Sequence, residues 1–228
     1  MQHATAAAPR SVGIIRLGYH GSPVLPRAVL RRAGFPVHLV RLVEHEVADP
    51  FQKLRAGGLD VMVVKFGLGQ AEPDLRRSRP VGHDPRAVLV AADHPLAARK
   101  SVSVEEVADY GVFDCPGVMP PAVWDEAVPR TTPSGRSLRR THPLVDVADM
   151  ITAVAAGEAV HLSLASLADV LPPGVTAVPV HDLPSAPVAL AWCTARPLPD
   201  DVARLVRAAE AAAGVFGDAA APADAVAW

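Results

Sequence analysis

The sequence predicts an α/β fold with a parallel sheet covered on both faces. Apolar, β-branched runs alternate with helix-like segments at the spacing of βαβ units, whose right-handed crossovers build parallel sheets. The run Val61-Met62-Val63-Val64 is continuously apolar, as strands buried on both sides are. A chain of 228 residues holds one large domain or two small ones, with room for a sizeable core.

Residues 1–11 are Ala-rich and featureless and are expected to form a disordered lead-in. Residues 12–17 are a short strand that ends in Gly18-Tyr19-His20-Gly21-Ser22-Pro23. Proline suits the first turn of a helix and serine its N-cap, so a helix is expected over about 23–33, stopped by Gly34 and Pro36. Residues 37–44 alternate as a second strand, 50–56 suit a helix stopped by Gly57-Gly58, and 59–64 form a third strand. Another apolar strand, 87–92, runs into Asp93-His94-Pro95-Leu96, a basic segment and a serine-initiated helix. His94 there reads as a turn residue.

A second half begins near Gly111-Val112-Phe113. Helices are expected over about 120–128 and 146–156, strands near 159–163 and 176–180, and an exposed loop over 131–140. Residues 188–194 read as a strand and 200–213 as a closing amphipathic helix between Pro199 and Gly214. Residues 214–228 read as a disordered tail.

The formal net charge is -2, from 22 basic and 24 acidic residues, which gives no overall footprint for a polyanion. Arginine clusters at 31–32, 76–77 and 136–140 have no interleaved aromatics and are expected to be solvated faces. Cys115 and Cys193 lie far apart without CxxC or Cys/His spacing and are expected to be buried free thiols. No run approaches the ~18 apolar residues of a membrane span, and the N-terminus has no apolar core of signal-peptide length.

The segment 86–106, RAVLVAADHPLAARKSVSVEE, resembles a signature of the effector-binding domains of LysR-type transcription regulators. Leu54-Arg55-Ala56-Gly57-Gly58-Leu59-Asp60 and Val154-Ala155-Ala156-Gly157-Glu158, where helices hand over to strands, resemble the same family in order and spacing. The resemblance covers most of residues 12–213. It implies two Rossmann-like subdomains of the type 2 periplasmic-binding-protein kind, joined by two crossover strands near 90–93 and 186–192. Subdomain I would take residues 12–90 plus 193–213 and subdomain II residues 94–186. It also implies a cytoplasmic homodimer paired through the first helix and second strand, no cofactor, and a small-molecule effector in the cleft. Effectors of the family are mostly organic acids or aromatic metabolites. In the family a helix-turn-helix module precedes the first strand, and here eleven residues precede Val12. The chain is therefore expected to be either a piece of a regulator or a standalone effector domain, with no nucleic-acid contact of its own. Ala159 and Leu164 stand where the family usually has glycine and proline, which implies a differently shaped strand exit.

Ligands of parallel α/β sheets bind beyond the carboxyl ends of strands. His20, Gly21 and Ser22 follow the first strand, where glycine allows close backbone approach and a helix N-terminus offers N–H groups to an anion. Ser22 would equally serve as a helix cap. Lys65 and Phe66 follow the third strand, the lysine suited to a carboxylate or to a solvated strand end, the phenylalanine to a planar ligand. By the resemblance, His142 and Val145 precede a cleft-facing helix capped by Asp146. His161 and Ser163 share one strand face by alternation.

The alternative is an enzyme, or a ligand-sequestering protein, that reuses the cleft. His20, His45, His142 and His161 could converge there with Glu44 and Glu46, and His20 and His161 would then carry proton transfer. No H-x-x-x-H spacing occurs, Glu44-His45-Glu46 points its side chains to opposite faces, and no metal site is expected.

Overall fold

A computed structural model describes residues 13–45, 49–68, 72–116 and 119–215 of the chain. The lead-in 1–11, Glu46 and residues 216–228 of the expected tail lie outside the described residues. The first half follows the expected order, with β1 (Ile15–Tyr19), α1 (Val24–Arg32), β2 (Val40–Glu44), α2 (Gln52–Arg55) and β3 (Val61–Lys65). Short strands β4 (Leu75–Arg77) and β5 (Gly82–Asp84) come next, then β6 (Arg86–Ala91). The second half continues with α3 (Val104–Val107), β7 (Gly111–Phe113), α4 (Pro121–Ala127), β8 (Arg139–His142) and α5 (Val147–Ala155). It ends with β9 (His161–Leu164), a 3-10 helix (Ala165–Val170) and β10 (Val175–Pro179). Strand β11 (Ala186–Cys193) returns to the first sheet, and α6 (Asp200–Val215) closes the chain, running past Gly214.

The first sheet has the order β2-β1-β3-β11-β4, with β5 also on β11. β1 is parallel to β2 and β3, whereas β11 runs antiparallel to β3, β4 and β5. The sheet is therefore mixed where the sequence predicted a parallel one. Alternation along β3 explains its continuous apolar run. Val61 and Val63 pack with Leu30 of α1 and Leu205 of α6, while Met62 and Val64 pack with Phe51 and Leu54 around α2.

In the second half β6 lies between β10 and β9 and is antiparallel to both. The parallel pair β7–β8 joins it through a bridge between Val112 and Val160. One core gathers Val88, Leu89 and Val90 with Trp124 of α4 and Met150 and Val154 of α5. The chain changes sheets at Pro85, because Asp84 pairs with Ala186 in the first sheet and Arg86 with Leu164 in the second. The boundaries read from the sequence, 90 and 94, fall at the end of β6 and in the turn beyond it.

Other differences are local. Residues 37–39 form a 3-10 turn, which shortens the second strand to β2. Pro23 occupies the N-cap position of α1, and the Ser22 hydroxyl sits one residue outside it, accepting from the Val24 N–H at 3.1 Å. Arg140, in the cluster read as solvated, lies on β8 with its side chain 10% exposed and reaches Asp125 at 2.7 Å. His94 accepts from the Leu96 N–H within its turn and packs edge-on against Tyr110. Cys115 and Cys193 are free and half-buried.

Candidate functional site

The carboxyl ends of β1 and β3 point toward the second half, and a cavity of about 710 Å³ opens between them and α4, α5 and β9. His20, Gly21, Ser22, Lys65, Phe66, His161 and Ser163 all line it. His142 and Val145 are not among the lining residues. His142 packs its ring against Phe113, with Nδ1 3.0 Å from Thr141 Oγ1, and Val145 is 64% exposed.

On the first-half side several polar groups are already bonded. His20 Nδ1 lies 3.2 Å from the His45 carbonyl oxygen. The Ser22 hydroxyl, 1% exposed, donates to Asp169 Oδ2 at 3.3 Å across the cleft. Gly21 has φ +75°, a conformation that favours glycine, and a Cβ there would have to push aside Leu167 Cδ2, which lies 2.3 Å from its position. Lys65 Nζ lies 3.1 Å from Asp84 Oδ2 and donates to Ser166 Oγ at 3.0 Å. Asp84, itself buried, also accepts from the Ser166 N–H and hydroxyl.

Phe66 has φ +56°, an uncommon conformation for a residue with a side chain. The Arg86 guanidinium stands 5.0 Å from the centre of its ring. Arg86 is buried and donates to the carbonyls of Glu126 and Ala127 at the end of α4. Burial pushes its pKa down to about 10 against the opposing charge of Asp84. Gly67 completes this contact by donating its N–H to Glu126 Oε2 at 2.8 Å. Arg86, Asp84, Ser166, Asp169 and Glu126 carry no local sequence pattern that marks them as site residues. Arg86 opens an apolar strand and its contacts are distant in sequence, so no local pattern marked it.

The second-half wall is different. Val123, Trp124 and Ala127 of α4 and Val147, Met150 and Ile151 of α5 face the cavity. His161 of β9 is 7% exposed, stacks on Trp124 with ring centres 6.2 Å apart, and meets Phe113 edge-on. Burial first, then the charges of Arg86 and His20, push its pKa down to about 4, so the imidazole is neutral near pH 7. Its Nδ1 and the Trp124 indole nitrogen have no hydrogen-bond partner among the described residues. No group of His, Cys, Asp or Glu among the described residues is arranged to hold a metal ion.

Comparison with known proteins fits this architecture. The family model of the LysR substrate binding domain matches residues 12–214. The chain belongs to that family. Its fold is similar to that of the effector binding domain of QuiR in complex with shikimate, at 18% identity and TM-score 0.61, over 87% of this chain and 96% of that one. It is similar to CbnR, a LysR family transcriptional regulator, at 17% identity and TM-score 0.69, over 89% of this chain and 71% of that one. The BenM effector binding domain with its effector benzoate is similar at 20% identity and TM-score 0.61, over 91% and 95%. A search of curated protein sequences finds no match.

Proposed function

We propose that the chain is the effector-binding domain of a LysR-type transcription regulator and binds a small organic molecule in the cavity between its halves. The observation that carries this reading is the cavity itself. It is formed by strand ends of one half and helices of the other, so a molecule inside touches both and couples their relative position to its own binding. Relatives of the same fold carry shikimate or benzoate, and the resemblance implies organic acids or aromatic metabolites for this chain. The chemistry of the cavity gives less support to the enzyme reading. His161 is a weak base near pH 7, enclosed by Trp124 and Phe113.

Among the described residues no helix is long and apolar enough to cross a membrane, which suits a regulator working beside DNA in the cytoplasm. Pairing of two copies through α1 and β2 is the matching assembly, supported by the exposed Val24 on α1 and Val37 in the turn before β2. The function is tested by a thermal-shift screen of small acids, alcohols and aromatic metabolites. A compound at 100 times its dissociation constant stabilises the fold by about 2.7 kcal/mol. Replacing Ala127, on the cavity wall, by tryptophan should abolish that shift while the far-ultraviolet circular dichroism is retained. A shift that survives Ala127→Trp would place the ligand elsewhere and overturn the reading.

A further inference from the structure

We propose that this cavity selects an uncharged, mainly apolar molecule and discriminates against carboxylates, because the chain's own groups already hold the positions an acid would use. The inference rests on the effector-binding reading above and narrows it to a ligand class.

The N-terminus of α1 is the natural place for an anion beside β1, since the first four N–H groups of a helix have no partner within it. In this helix those positions are Pro23, Val24, Leu25 and Pro26. Both prolines lack an N–H, and that of Val24 is taken by Ser22 Oγ, which leaves the N–H of Leu25. The Ser22 hydroxyl proton goes to Asp169, so a carboxylate of the protein stands against the serine that would greet a ligand's. At Gly21, Leu167 occupies the side on which a Cβ would stand.

The cations are equally committed. Lys65 is paired with Asp84, and the buried Arg86 gives its two terminal nitrogens to carbonyls of α4 and lies against the Phe66 ring. Lys53, exposed at the rim, donates to the Glu44 carbonyl oxygen at 2.7 Å, and the Glu44 carboxylate belongs to the same rim. An entering carboxylate would give up its hydration without gaining an unmatched positive charge, and stripping an ion of water uncompensated is costly.

The opposite wall offers what a neutral ligand needs. It is built from Val123, Val147, Met150 and Ile151, with the rings of Trp124 and His161 beside them, and the Trp124 indole nitrogen and His161 Nδ1 are buried within the wall. Such a surface suits an apolar or aromatic frame.

The test uses the neutral fluorophore N-phenyl-1-naphthylamine on the full chain, displaced at neutral pH by two molecules of matched shape, 2-acetonaphthone and 2-naphthoate. The ketone should displace the dye at a concentration at least about tenfold below that of the acid. In the double variant Pro26→Ala, Asp169→Asn, which restores a helix N–H and removes the competing carboxylate, the affinity ratio should move toward the acid by about fivefold. Ala127→Trp should abolish binding of dye and ketone. If 2-naphthoate binds as tightly as the ketone and Ala127→Trp removes both, the ligand class is wrong and the cleft reading stands. If Ala127→Trp leaves dye and ketone binding intact, the cleft reading itself falls. An unchanged ratio in the double variant removes α1 as the cause of selectivity and overturns the inference as argued.

Discussion

The wall that β1 and β3 present to the cavity carries polar groups bonded across the cleft, whereas the wall made by α4 and α5 is mainly apolar. On the first side Ser22, Lys65 and Gly67 each reach a residue of the second half, namely Asp169, Ser166 and Glu126. Such bonds set how the halves meet and leave little polar capacity for a ligand. On the second side the contact surface comes from side chains whose gain on binding is mainly burial. The polar wall therefore governs how the halves meet, and under the proposed function the apolar wall governs affinity.

The largest expected effect breaks the polar side at its centre. Arg86→Met removes a buried cation and leaves the Glu126 and Ala127 carbonyls and the Asp84 charge less well matched. Urea denaturation should show a loss of about 3–5 kcal/mol. A loss below about 1 kcal/mol would mean that the polar wall does not organise the junction.

The next effect sharpens the apolar side through pH. The pKa of His161 lies below its ordinary 6.5 in the folded chain, at about 4, so the unfolded chain binds the extra proton first. Stability is then full above pH 6.5 and falls as pH drops toward 4. The contribution amounts to about 3 kcal/mol across that window. In His161→Phe that part of the acid sensitivity should vanish, as read from denaturation midpoints at several pH values. An unchanged pH profile would mean that the ring is hydrated and charged more readily than its burial implies.

The smallest effect separates the walls. A Cβ at Gly67 would lie 2.5 Å from Glu126 Oε1, so Gly67→Ala pushes that carboxylate aside. Loss of the Gly67–Glu126 bond should cost about 1 kcal/mol in thermal unfolding. Affinity for N-phenyl-1-naphthylamine should change less than in Ala127→Trp. A larger change in dye affinity than in stability would show that the polar side contributes directly to binding.

The same division separates what could be read from the sequence and what could not. β1, α1, β3 and β6 were legible because burial on both faces writes continuous apolar runs and glycine or proline marks their ends. β4 and β8 were not, since Leu75-Arg76-Arg77 and Arg139-Arg140-Thr141-His142 are short and charged, and pairing with β11 or β7 makes them strands. At the cavity, His20, Gly21, Ser22, Lys65 and Phe66 followed from the rule that strand ends carry sites. Asp169, Ser166 and Glu126, which bond Ser22, Lys65 and Gly67, did not. They lie between 59 and 147 residues away along the chain, and nothing local marks them. Ser22 was readable as a polar group near a helix start, but whether its hydroxyl faced a ligand or another part of the chain depended on the 3-10 helix beyond β9.

The change of sheets at Pro85 has a consequence for how such a molecule can be rebuilt. Asp84 and Ala186 are register partners, and the Val180 N–H donates to the Arg86 carbonyl oxygen at 2.9 Å, so residues 86–180 leave and re-enter the first half at neighbouring points. The second half is thus one uninterrupted insert with adjoining ends. A different insert between the same flanks would therefore exchange the apolar wall as a unit, with the strand order of the host sheet left in place.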